Sequence, residues 1–194
     1  MTSQSIQKII IAITGASGAI YGITLLKMLK QMNIQTHLII SKSAQLTLLS
    51  ETNLTLKDLS NIADFTHNPN DIGATIASGS FKIDGMIVAP CSMKTLSSIA
   101  TGFECNLVSR AASVIIKEQK KLVLMVRETP LSAIHLENML KLSRLGIAIF
   151  PPVPAFYANP GSIQDLVDHS VARVLDLFNL DSGSINRWQG LTKE

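Results

Sequence analysis

Short runs of apolar residues alternate along this chain with stretches whose apolar residues recur every three or four positions. Ile9–Ile13 is apolar throughout and reads as a buried strand. After it come Gly15-Ala16-Ser17-Gly18 and a stretch in which Ile20, Ile23, Leu25, Leu26 and Leu29 keep helical spacing. The alternation then repeats. His37–Ile40 is a strand closed by Ser41, with a helix over Lys42–Ser50. Met86–Ala89 is a strand ended by Pro90, with helices over Lys94–Ala100 and Asn106–Lys117. Leu122–Val126 is a strand, and Thr129-Pro130 supplies an N-cap and first-turn pair for a helix through Leu145. A last strand, Ile147–Phe150, stops at Pro151-Pro152-Val153-Pro154, and Ser162 opens a helix to about Phe178.

Strands that are apolar at every position are buried on both faces, and the intervening helices supply both covers. The pattern predicts an α/β fold: a Rossmann-like, doubly wound parallel sheet in a three-layer α/β/α arrangement. Residues 1–194 form one domain, without repeat, low-complexity segment or linker. In such sheets ligands lie at the carboxyl ends of the strands. The residues there are Gly15 to Gly18, Ser41, Pro90 to Thr95, Arg127-Glu128 and Pro151 to Tyr157, a set rich in hydroxyls and cations.

Composition adds one oddity. Hydrophobic residues make up 46% of the 194 and charged residues only 16%, against about 25% charged in average soluble proteins. Such a chain is either embedded in a membrane or hides part of its surface against something else. No apolar run approaches the roughly 18 residues of a spanning helix, so the second reading stands. The net charge of +3 comes from scattered Lys and Arg, densest at Lys117, Lys120 and Lys121, without interleaved aromatics. That excludes a nucleic-acid stripe and favours a few placed cations facing a small anion. Cys91 and Cys105 form no CxxC pair, which points to a reducing, cytoplasmic setting. The run after Lys8 is too short for the apolar core of a signal peptide.

The first loop joins a strand to a helix through small residues, so its backbone N–H groups and the positive helix end are expected to face an anion, with Ser17 adding a hydroxyl. A tight turn without ligand is the plainer alternative. Gly15-x-x-Gly18-x-x-x-Gly22 is not the dinucleotide fingerprint, and the second strand ends in Ser41 rather than an acidic ribose ligand. A mononucleotide such as FMN fits better than NAD. Ser92, Lys94 and Thr95 either cap a helix or bind a ligand. Arg127, at the end of an apolar strand, needs an anion. Lys117, Arg110 and Arg173 each have a bland reading as helix-end or surface charges, and together they suggest an anion site. Glu51 and Glu128 are capping groups, or an acid and base if desolvated. The four histidines have no zinc spacing, and no acidic motif for magnesium is present, so no metal site is expected.

Assembled, these residues resemble the UbiX-type flavin prenyltransferases. The matching blocks are Thr14-Gly15-Ala16-Ser17-Gly18-Ala19-Ile20-Tyr21-Gly22, Pro90-Cys91-Ser92-Met93-Lys94-Thr95, Arg127-Glu128-Thr129-Pro130-Leu131, Pro151-Pro152-Val153-Pro154-Ala155-Phe156-Tyr157 and Arg187-Trp188-Gln189-Gly190, in order along nearly the whole chain. The resemblance implies transfer of a dimethylallyl group from dimethylallyl phosphate to N5 and C6 of reduced FMN without metal. The prenylated FMN so made serves a separate UbiD-type decarboxylase. It implies a homododecamer with sites at subunit boundaries, and residues from about 179 to 194 packing on a neighbour. Gly15, Ala16, Ser17, Ser41, Ser92, Met93, Lys94, Thr95 and Arg127 are implied to hold the flavin. Arg110, Lys117, Arg127, Tyr157, Arg173 and Trp188 are implied around the prenyl phosphate, with Ser17, Glu51, Lys117 and Glu128 in the chemistry. Glu104-Cys105-Asn106 departs from the family's Asp-Asn before the Arg-Ala-Ala helix, which puts a flavin contact of that loop in question. An FMN-dependent cysteine decarboxylase of the same fold, or a non-catalytic FMN-binding subunit, is the alternative.

Overall fold

Every residue from Ile9 to Ile13 is inaccessible to solvent. Ile9, Ile11 and Ile13 pack into one core with Ile23, Leu26 and Val171, whereas Ile10 and Ala12 pack into a second with Leu96, Ala111 and Leu124. Each such isoleucine contributes about 1.5–3 kcal/mol of transfer free energy, and both faces must be covered to collect it. The computed structural model describes residues 7–183 and Gly190. Its six strands are β1 (Lys8–Ile13), β2 (Gln35–Ile40), β3 (Phe65–His67), β4 (Gly85–Cys91), β5 (Lys121–Val126) and β6 (Ala148–Ile149). All pairs are parallel, in the order β3-β2-β1-β4-β5-β6. Helices α1 (Ala19–Gln31), α2 (Lys42–Glu51), α3 (Leu56–Ile62) and α7 (Ile163–Asp176) cover one face. Helices α4 (Met93–Thr101), α5 (Leu107–Lys117) and α6 (Ala133–Arg144) cover the other. The chain leaves β1 towards β2 and β3, then crosses back to place β4 on the other side of β1. That reversal opens a crevice beyond the ends of β1 and β4, where such sheets bind ligands.

Two local expectations need correction, and two elements were not anticipated. Pro90 does not end its strand: β4 runs through Cys91, and the pairing with β5 slips between Val88 and Cys91. Proline lacks a donor, but its carbonyl still accepts from the Thr14 N–H at 3.2 Å and from the Thr14 hydroxyl at 2.7 Å. Thr129-Pro130 does not open a helix. Ser132 is the cap of α6, its hydroxyl accepting from the His135 N–H at 3.3 Å while its own N–H donates to His135 Nδ1, also at 3.3 Å. This reciprocal box satisfies two terminal donors and outcompetes a start three residues earlier. Finally, α3 and β3 were not anticipated, although Leu56, Leu59 and Ile62 of α3 recur every three positions and Leu59 is fully buried. Phe65 and Thr66 of the edge strand β3 are exposed, and the strand is held through Phe65 stacked at 4.8 Å on the buried His37, whose Nδ1 pairs with His67 Nε2 at 3.0 Å. Trp188 and most of the segment expected on a neighbouring subunit lie outside the described residues.

Candidate active site

Thr14, one residue beyond β1, ties the two sides of the crevice together. Besides donating to Pro90, its hydroxyl accepts from the Ser92 N–H at 2.9 Å. Above this clamp lies a cavity of about 240 Å³ lined by Gly15, Ala16, Ser17, Ser92, Met93, Arg127, Glu128 and Thr129. Loops after three strands, β1, β4 and β5, therefore converge as strand-end reasoning anticipates, with Thr129, expected only as a helix cap, also in the lining.

The start of α1 is not open to an anion. Glu51, the last residue of α2, places Oε2 at 2.9 Å from the Gly18 N–H and 3.0 Å from the Ala19 N–H. The carboxylate fills the site the loop was expected to offer a ligand, where a negative charge meets the positive end of the helix. Burial pushes the Glu51 carboxyl up. The hydrogen bonds from the Gly18 N–H, the Ser17 hydroxyl and the Ala19 N–H, with the Arg127 charge, outweigh it and bring the group below its ordinary value. Arg127 donates from Nε to the Ser17 carbonyl at 3.0 Å. Ser17, Glu51 and Arg127 thus form one network on the cavity wall. Beside it Tyr21 is half-buried, its phenol pushed up by burial, with Arg127 opposing.

Two other helix starts remain available for a phosphate. Ser41 caps α2, accepting from the Ala44 N–H at 3.2 Å, and Ser92 caps α4, accepting from the Thr95 N–H at 3.4 Å. They meet at a small pocket of about 30 Å³ with Ser43, Lys94, Thr95, Ser98, Asn106 and Ser109. Several of these residues also line a cavity of about 580 Å³ that includes Lys42, Asn70, Phe103 and Cys105. Two helix starts, a cluster of hydroxyls and the lysines Lys42 and Lys94 suit a phosphate monoester, while the 240 Å³ cavity alongside suits a planar ring system. An FMN-sized ligand fits this division. Ser43, Asn106 and Ser109 were not among the sequence candidates, although Ser43 follows strand-ending Ser41 by two residues. The departing loop Glu104-Cys105-Asn106 has partners of its own within the chain. Asn106 caps α5, accepting from the Ser109 N–H at 3.1 Å, and Glu104 turns to Arg110 at 2.9 Å. Ser92→Ala is expected to cost about 1 kcal/mol of stability through the lost cap, seen as a lower denaturation midpoint, and to weaken flavin binding in a fluorescence titration.

The remaining candidates stand in separate places. Lys117 closes α5, paired with Glu118 and beside Gly79, at the edge of the sheet where β5 begins. Arg127 follows the far end of β5, whose six residues span roughly 20 Å at about 3.3 Å each. Arg110, also on α5, donates from Nε to the Ala77 carbonyl at 3.2 Å and pairs with Glu104. Tyr157 lies in a short 3-10 turn, Phe156–Ala158, with its hydroxyl 3.3 Å from His169 Nε2. Arg173 is one turn beyond His169 on α7 and pairs with Asp176 at 2.7 Å. Glu128 accepts from the Thr129 N–H at 3.0 Å within the cavity. One subunit therefore joins Ser17, Glu51, Arg127 and Glu128, and separately Tyr157 with Arg173 through His169. It does not bring Lys117 to either group.

The family model described as Flavoprotein matches residues 1–175. A probable UbiX-like flavin prenyltransferase of Escherichia coli O157:H7 is 56% identical over 185 residues, covering 95% of this chain and 94% of that protein. Among solved structures, a UbiX protein in complex with FMN and dimethylallyl pyrophosphate superposes with a TM-score of 0.96 at 53% identity, over 97% of this chain and 100% of that one. A dodecameric FMN-dependent UbiX-like decarboxylase from Escherichia coli O157:H7 superposes with a TM-score of 0.93 at 55% identity, over 95% and 100%.

Proposed function

Because this chain belongs to the flavoprotein family and, within it, to the UbiX-like flavin prenyltransferases, we propose how its own residues carry out prenyl transfer to FMN. The reaction moves a dimethylallyl group from dimethylallyl phosphate to reduced FMN. The allylic C–O bond breaks with its electron pair going to phosphate, and a bond forms to N5, which loses its proton. Protonation of the remaining alkene then allows a bond to C6, which loses a proton in turn, so that two protons leave, one is taken up and the flavin gains C5H8. Bound reduced FMN supplies the two nucleophilic atoms. The chain supplies position, charge and proton acceptors.

The observation that carries this reading is the ionised Glu51 held against Ser17 on the cavity wall. Its carboxylate, with the Ser17 hydroxyl between it and the cavity, is a base placed to take a proton as the flavin is alkylated. The helix starts at Ser41 and Ser92, with Lys94 and Thr95, bind the flavin phosphate. Gly15, Ala16, Met93 and Arg127 line the ring. Tyr157, Arg173, Lys117 and Arg110 take the departing phosphate, which fixed cationic donors stabilise as its charge develops. Trp188 shelters the allylic cation.

Lys117 and Arg127 sit at opposite edges of one subunit, so this site needs more than one copy. The exposed apolar residues Ile134, Leu136 and Leu140 of α6, with Phe156 and Ile163, supply surface for such contacts. A homododecamer is the assembly we infer, supported by the dodecameric relative. It gives the scarcity of surface charge a use. The product serves a UbiD-type decarboxylase in the cytoplasm, a setting supported by two unpaired cysteines.

The test is direct. Anaerobic incubation with reduced FMN, dimethylallyl phosphate and a metal chelator should give a flavin heavier by one C5H8 unit in mass spectrometry. Unchanged flavin with carbon dioxide released from a cysteinyl peptide would instead establish the decarboxylase reading.

A further inference from the structure

The pocket assigned to the flavin phosphate is not closed. Ser41, Ser43, Lys94, Ser98 and Asn106 line both it and the neighbouring cavity of about 580 Å³. That cavity exceeds the 240 Å³ given to the ring system, and its size is that of a small-ligand pocket in its own right, roughly 300–1,000 Å³. Seated with its ring in the 240 Å³ cavity and its phosphate at the caps of α2 and α4, FMN ends where the larger cavity begins. Beyond that point the walls change character. Leu46 of α2 and Phe103 are 70% and 66% exposed, and both line the larger cavity. Phe103 is held there by the end of α4, where Gly102 turns left-handed at φ 71° and the Phe103 N–H donates to the Ser98 carbonyl at 2.9 Å. The lining also holds Lys42 and Lys94 and, among the described residues, no acidic side chain.

We propose that this chain also takes the dinucleotide form of the flavin, FAD, with the adenosine phosphate in the 580 Å³ cavity, its base against Phe103 and Leu46 and its phosphate beside Lys42. This rests on the placement of the FMN phosphate at Ser41 and Ser92. The chemistry of the walls selects the occupant. A purely apolar ligand would leave two lysines without a counter-charge, and a simple anion would leave Phe103 and Leu46 without a partner. An adenosine phosphate uses both, since an aromatic side chain stacks on the face of a base and a cation meets the phosphate. Lys94 lines both pockets and Lys42 only the larger, which suits two linked phosphates in succession. The acidic ribose ligand of dinucleotide folds is missing after β2, but the residue following Ser41 is a lysine, and a second phosphate there calls for a cation.

Oxidised FMN and FAD titrated separately into the protein in a calorimeter test this. FAD is expected to bind with a dissociation constant within about tenfold of that of FMN, the contacts of the adenosine offsetting the cost of ordering it. FMN should displace FAD, because the two share the ring and phosphate seats. Phe103→Ala should weaken FAD about tenfold, the effect of losing one stacking face, and leave FMN affinity unchanged. Phe103→Trp keeps an aromatic face and should retain FAD. Melting temperature identifies a variant that fails to fold, and the tryptophan variant and the wild-type ratio of the two affinities then carry the comparison.

The outcomes separate this inference from the functional reading. FAD that fails to bind where FMN binds, or a Phe103→Ala protein in which both flavins weaken alike, would overturn the proposal and leave prenyl transfer untouched. If FAD binds as expected but reduced FMN and dimethylallyl phosphate give no heavier flavin, the prenyl-transfer reading fails and the dinucleotide site stands. A folded protein that binds neither flavin overturns both.

Discussion

Glu51→Gln is expected to lower the rate of flavin prenylation by about 10²–10⁴-fold, the usual contribution of a positioned general base, while leaving the fold intact. The substitution is nearly isosteric. The amide oxygen can still accept from the Gly18 and Ala19 N–H groups, now met by Oε2 at 2.9 and 3.0 Å. What is lost is the negative charge, and with it the capacity to take a proton through Ser17. The loss at the start of α1 should cost no more than about 1 kcal/mol, the scale of an anion against a helix dipole.

The pH dependence follows from the same contacts. Folding lowers the Glu51 carboxyl below its ordinary value of 4.5, so its contribution to stability is present above pH 4.5 and fades as the pH falls through the folded value. The acid limb of activity that Glu51 imposes therefore lies below pH 4.5, and Glu51→Gln should remove it. Single-turnover rates across pH, followed by mass spectrometry of the flavin, test both points. A variant with wild-type rates would remove Glu51 from the chemistry and leave it as a helix cap.

The layered fold and its ligand-binding edge were legible because β1, β4 and β5 are apolar at nearly every position, and such runs survive any detail of packing. The edge strand β3 was not legible, since its pairing depends on His37 and His67, which carry no periodic signal. Gly15 to Ser17, Ser41, Ser92 to Thr95, Arg127 and Glu128 were readable as strand-end residues, whereas Glu51, Arg110, Lys117 and Arg173 stand on helices. Their grouping was not legible. That Glu51 occupies the start of α1 depends on how the end of α2 returns to that loop, a tertiary fact that no spacing encodes. The place of Lys117 is different. A helix running back from the end of β4 to the start of β5 must deliver its last residue to the opposite edge, so its separation from Arg127 could have been drawn from the element order alone.

Gly22→Val is expected to be the most damaging single substitution of stability near the site. A Cβ at Gly22 would lie 2.5 Å from the Ala89 carbonyl oxygen and 2.7 and 2.8 Å from Ile13 Cγ1 and Cδ1. Neither neighbour can yield cheaply. Ala89 belongs to the fully buried β4, immediately before the Pro90 carbonyl that receives both Thr14 bonds, and Ile13 is itself fully buried. Helix α1 would have to lift from the sheet, so the cost should reach about 3 kcal/mol or more, the upper range for overpacking a core. Gly22→Ala should show a smaller loss of the same kind. Gly161→Ala is the control, because its Cβ would meet only Asp165 Oδ2 at 3.6 Å, and the change should stay within about 0.5 kcal/mol. The glycines of the first loop and helix therefore answer to different demands. Gly18 adopts φ 110° at the helix cap, whereas Gly22 gives the helix room against β1 and β4. Lifting α1 would also part Gly18 and Ala19 from Glu51, so flavin prenylation should fall along with the denaturation midpoint. A Gly22→Val protein of unchanged midpoint would mean that α1 does not approach the sheet this closely, and the geometry of the Ser17–Glu51 wall would fall with it.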